Sequence, residues 1–129
     1  MAHRNEELVR RGYEAFSKGD TDTLREVFAD TIVFHQPGRS PLAGDYHGID
    51  EVLGYFAKIA QLSGGTFRAV LHDVLADHEH AVGLHTAEAE RGGRHHSGRV
   101  ALVIHVRDDK ITEAWAHGFD LYADDAFWS

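Results

Sequence analysis

Cysteine is absent from the 129-residue chain. Its absence removes disulfides, thiolate nucleophiles and cysteine-type zinc sites together, and fits a cytoplasmic protein. No run of about 18 apolar residues occurs, so no membrane span is expected. The N-terminus, MAHRNEELVRR, is charged from its third residue and lacks the apolar stretch of a signal peptide. Basic residues are few: thirteen against twenty-one acidic ones give a net charge of −8. Phosphate binding needs a basic patch, so nucleic acid is not an expected partner. There is no glycine-rich phosphate loop, no nucleophile elbow, and no HExxH or two-histidine-one-carboxylate spacing. Neither a cofactor nor a metal ion is therefore expected. Repeats and low-complexity blocks are missing as well.

What is present suits one domain over 1–129: 43 % of the residues are hydrophobic, enough for a core. Leu8, Val9, Gly12, Tyr13 and Phe16 fall on one stripe at helical spacing. Gly19 can stop that helix and Asp20 can cap the next, TDTLREVFA, with Leu24, Val27 and Phe28 inward. TIVFHQPG is a strand ending at Pro37, and Gly38 to Gly48 reads as loop. Ile49, Val52, Leu53, Phe56, Ile59 and Ala60 then repeat at helical spacing until Gly64 and Gly65. Four β segments follow: TFRAVLHDVLAD, HAVGLHTAEAE, HSGRVALVIHVRD and KITEAWAHGF. Short turns at DHEH, RGGR and DD make them antiparallel neighbours. The predicted order is helix, helix, strand, helix, four-strand meander and terminal turn. This is an α+β arrangement with helices grouped on one face of a bent sheet.

The eleven histidines stand out, because histidine changes charge near neutral pH. His72 and His85 lie mid-strand among aliphatics. Each is either a core histidine with its partners supplied or a cavity acid/base. His95 and His96 point to opposite faces of a strand, so they cannot easily share one metal ion; a solvated turn is expected there. Val100, Leu102, Ile104 and Val106 form a core face. In the last segment, the large set Ile111, Glu113, Trp115 and His117 is expected to fill or line a cavity. The small set Thr112, Ala114, Ala116 and Gly118 would meet a neighbour. Tyr13 either packs ordinarily with its hydroxyl at the rim or faces a pocket. Asp120, among terminal aromatics, either caps the LYADD turn or acts as a carboxylate base near His117 and His35.

Four strings carry a resemblance over nearly the whole chain: GYEAFSKGDTDTLREVFADTIVFHQPG, YHGIDEVLGYFAKI, LHDVLADHEHAVGLHTAEAERGGR and DKITEAWAHGFDLYADDAFWS. Together they resemble SnoaL-like, ketosteroid-isomerase-like members of the nuclear transport factor 2-like superfamily. The resemblance implies a cone-shaped, cystatin-like α+β barrel, its curved mixed or antiparallel sheet packed on three helices from the N-terminal half. It implies an apolar cavity, and a homodimer through the outer sheet face. In ketosteroid isomerases the base is an aspartate before the proline; here the position is Gln36. The family's oxyanion tyrosine aligns with Gly12, one residue from Tyr13, and its neutral aspartic acid with Leu102. Steroid isomerisation by that route is therefore not expected.

Two functions remain. One is cofactor-independent acid/base chemistry of isomerase, cyclase or dehydratase type on a small apolar or cyclic ligand. His72, His117 and Asp120 would be catalytic, with Tyr13, Phe16, His35, Phe56 and Trp115 shaping the pocket. The other is a non-catalytic ligand-binding or dimerisation module of the same fold.

Overall fold

A histidine opens the first helix. The Asn5 backbone N–H donates to the His3 ring at the start of α1 (Arg4–Lys18). The helix stops at Gly19, whose φ of 64° is the left-handed conformation glycine tolerates best. Asp20 accepts from the Thr23 N–H and starts α2 (Thr21–Val27). The computed structural model describes residues 3–129, and in it the chain passes directly from α2 into β1 (Phe28–Gln36). Then follow β2 (Gly44–His47), α3 (Ile49–Leu62), β3 (Arg68–Ala76), β4 (His80–Arg91), β5 (Arg94–Arg107), β6 (Lys110–Gly118) and α4 (Leu121–Trp128).

The six strands form one sheet in the order β2-β1-β6-β5-β4-β3. Among the described residues, β1 and β6 run parallel and the other neighbouring pairs are antiparallel. The tight β5–β6 turn holds Asp108 and Asp109 at φ 53° and 61°, the positive values that a two-residue hairpin of this hand requires. The helices α1, α2 and α3 cover one face of the curved sheet. Ile32, Ile104, Val9, Val27 and Val52 are fully buried between the two layers. Among the described residues, no helix is long and apolar enough to cross a membrane.

Three details differ from the sequence expectations. The stretch from Gly38 to Gly48 contains the edge strand β2, whose four pairs run from Val33 with His47 to Gln36 with Gly44; four residues are too few to show a period. On α3 the inward face is Ile49, Val52, Tyr55 and Ile59, while Ala60 is exposed. Tyr55 is buried because its hydroxyl donates to Gln36 Oε1 at 2.6 Å. The terminal turn is a full helix, α4, which buries Phe127 and Trp128.

Candidate ligand cavity

Alternation along the strands decides what faces the helices. On β5, Val100, Leu102 and Ile104 point inward, and the same parity carries His96 to the inner face. On β6 the inward set is Ala114, Ala116 and Gly118. These small side chains leave an apolar hollow of about 140 Å³ under α1, α3 and α4. Among the described residues, no lysine or arginine lines it.

Three polar couples interrupt the apolar wall. The Tyr13 hydroxyl on α1 lies 2.6 Å from Nδ1 of His85 on β4. Burial raises the Tyr13 pKa. Burial, with a smaller push from the charge of His72, lowers that of His85 to about 4. Both groups are therefore neutral at pH 7, and when the phenol donates to Nδ1 the remaining imidazole proton sits on Nε2. Tyr55 and Gln36 form the second couple, and burial also raises the Tyr55 pKa. The third couple joins His96 Nε2 and Asp124 Oδ1 at 2.9 Å. Their side chains are 11 % and 19 % exposed, so water reaches the pair only marginally. Burial raises the Asp124 pKa, assisted by Asp120 and Asp125 and opposed by His96. The His96 ring also stacks on Phe127, with centroids 4.9 Å apart.

Glycines make these contacts possible. A Cβ on Gly83 would lie 2.6 Å from the Tyr13 hydroxyl, so Tyr13 can lie against β4 only because that position is bare. Gly118 does the same for the Asp124 carboxylate. Gly118 pairs with Val100, and Val100 with His85. Across two strand spacings, the Asp124 and Tyr13 couples are thus roughly 10 Å apart. The helix α4 is fastened at two further places: Asp125, next to Asp124, accepts from the N–H groups of Arg39 and Ser40. Arg91 and Arg94 donate to carbonyls of its last turn.

The structure gathers some of the expected site residues and disperses others. Tyr13, Phe16 and Phe56 line the cavity. Trp115 and His117 do not. Ile111 lines the cavity as expected, but the bulge opposite His105 and Val106 resets the alternation of β6 against β5, so that Ala114, Ala116 and Gly118 take the inner face in place of Glu113, Trp115 and His117. Trp115 stacks on His35 on the outer sheet face, at 5.2 Å between centroids. There His35 contacts Asp45 and Glu113, each at 2.6 Å. His72 is exposed at a second bulge, between Leu71 and Asp73. Asp120 is exposed and accepts from the Ala123 N–H, so it is the cap of α4. His96 is not part of a solvated turn, since Asp124 and Phe127 draw it inward. The sequence reasoning did not assign His96 and Asp124 to the site. The alternation of β5, continued back from Leu102, is the signal that reaches His96. The three positions aligned with isomerase residues, Gly12, Gln36 and Leu102, all line the cavity.

A curved six-stranded sheet closed over by helices in this order is the nuclear transport factor 2-like, cystatin-like fold. A family model for the SnoaL-like domain matches residues 9–114, and the chain belongs to that family. It is 31 % identical over 124 residues to the uncharacterised protein Rv0034 of Mycobacterium tuberculosis, covering 95 % of each chain. The solved structure of Bal32a, from a soil-derived mobile gene cassette, is 39 % identical with a TM-score of 0.94. It covers 98 % of this chain and 97 % of that one. Wild-type IdmH of Streptomyces antibioticus, a provisionally assigned polyketide cyclase, shares the fold at 23 % identity and a TM-score of 0.77, covering 94 % and 96 %.

Proposed function

We propose that the protein binds a small, uncharged, apolar or cyclic molecule in this cavity and carries out cofactor-independent acid/base chemistry on it. The supporting observation is the His96–Asp124 couple, a carboxylate whose pKa is raised by burial and which is held by an imidazole in a mainly apolar hollow. A base works best when its pKa approaches the working pH, and burial moves Asp124 that way. Asp124 accepts a proton from carbon next to a carbonyl, or from a hydroxyl, and returns it elsewhere on the ligand. His96 orients the carboxylate and stabilises its ionised form. The neutral Tyr13–His85 couple donates a hydrogen bond to an oxygen at the ligand's far end. The polyketide-cyclase assignment of IdmH agrees with chemistry of this kind.

A second reading, a binder without turnover, is favoured by one observation. Among the described residues, no buried side-chain nitrogen or oxygen lacks a partner, so no fully buried polar group calls for a substrate. We also propose that two copies associate through the outer sheet face around Trp115.

The experiment is a thermal-shift screen of cyclic ketones and of sterol-like and polyketide-like compounds, followed by turnover assays on the hits. Turnover by the parent, lost in Asp124→Asn and His96→Gln with stabilisation retained, supports catalysis. Stabilisation without turnover leaves only the binder. Light scattering on the parent and Trp115→Glu tests the dimer; a parent that is monomeric at all concentrations removes it.

A further inference from the structure

A second apolar hollow lies against the first. It opens between α2 and α3 and has a volume of about 260 Å³. Its floor is shared with the cavity: Phe16, Leu24, Phe56, Ile59 and Phe67 line both. Its outer rim is made of small residues on exposed helix positions, including Ala57 and Ala60. Among the described residues, no charged side chain lines it.

The partition between the two spaces is made of rings rather than backbone. Phe16 meets Phe56 edge-on at 5.0 Å and Phe67 at 5.8 Å between centroids. Phe16 and Phe56 are only partly buried. A turn about the Phe16 side-chain torsions would part them without a main-chain movement. The cavity alone has room for about one ring, since an apolar void of about 150 Å³ accepts benzene. Anything larger must leave it by a route. One way leads along α4, whose Asp124 and Asp125 line that side of the cavity. The other leads past Phe16 into a groove that continues the apolar wall.

We propose that the groove between α2 and α3 is a second subsite, which takes an uncharged alkyl or aryl tail of a ligand whose head lies in the cavity, and that Phe16 is the gate between them. This rests on the cavity being a ligand site. The continuity of five shared lining residues, and the absence of charge along the path, identify the tail as neutral and apolar. A charged or strongly hydrated tail would lose its hydration in the groove without finding a partner.

A homologous series of 1-phenylalkan-1-ones, from acetophenone to phenyl decyl ketone, is the probe, with dissociation constants measured by titration calorimetry. The parent and the rim variants Ala57→Trp and Ala60→Trp are compared, with circular dichroism confirming their fold. Neither rim residue lines the cavity. In the parent, affinity is expected to rise roughly 4-fold per methylene once the head space is full. In the rim variants the short ketones bind as before, while the gain with chain length is lost. Phe16→Ala is expected to speed association of the long ketones, followed by stopped-flow tryptophan fluorescence, and an unchanged rate would overturn the gate. If short ketones bind but longer ones gain nothing, or gain equally in the rim variants, the tail subsite is overturned and the cavity stands. If no member of the series binds the parent, both the cavity reading and the subsite fall.

Discussion

The Tyr13 hydroxyl and Nδ1 of His85 are 2.6 Å apart, and the imidazole between helix and sheet is kept neutral, its pKa lowered to about 4. In the unfolded chain a histidine titrates near about 6.5. Above that pH the stabilisation from the neutral ring is complete. It is lost as the pH falls from about 6.5 to about 4, because the unfolded chain then binds the extra proton. The expected loss is on the order of 3 kcal/mol. Urea denaturation at several pH values in this window, on the parent and on His85→Gln, reads it as the difference in slope. Parallel pH profiles would refute it.

The outer face carries a histidine of the opposite sign. Burial disfavours the charged form of His35, but hydrogen bonds with Glu113 and Asp45 outweigh it and raise the pKa. Its contribution is therefore fully present below about 6.5 and declines as the pH rises through the higher folded value. His35→Gln should cost more stability at pH 6 than at pH 9. Equal costs at the two pH values would show that the two carboxylates do not hold the charged ring.

Gly83→Ala forces a methyl to 2.6 Å from the Tyr13 hydroxyl and 2.8 Å from the ring. Overpacking of this kind costs about 1–3 kcal/mol. The melting temperature should fall, and ligands anchored by the Tyr13–His85 couple should weaken. An unchanged melting curve would mean that α1 moves off the sheet freely.

Asp120→Ala removes the cap of α4, worth about 1 kcal/mol. Stability should drop by that amount while turnover of any substrate found persists, since the carboxylate is outside the cavity. Loss of turnover at unchanged stability would return Asp120 to the catalytic set.

Much of the architecture was legible because it follows from period and punctuation. The stripe from Val9 to Phe16, the stop at Gly19, the cap at Asp20 and the turns at Gly92–Gly93 and Asp108–Asp109 are local signals, and each stands where the sequence puts it. The site was harder to read because it depends on which face of a strand is inner. A period of two makes one bulge exchange the whole set. The bulges beside His72 and His105 are invisible in composition. His96 and Asp124 meet only through the path of α4 back across β5, a contact between residues 28 positions apart.

The parallel pairing of β1 with β6, in which Phe34 lies beside Ala114, has a kinetic consequence. Most of the chain separates the two partners, so the sheet has high contact order, and closing such a loop is slow. On the ribosome, β1 emerges early and then waits for the final strand. During that interval its only partner in the sheet is the four-residue β2, and one of its edges stays unprotected. Aggregation during synthesis should therefore begin at β1.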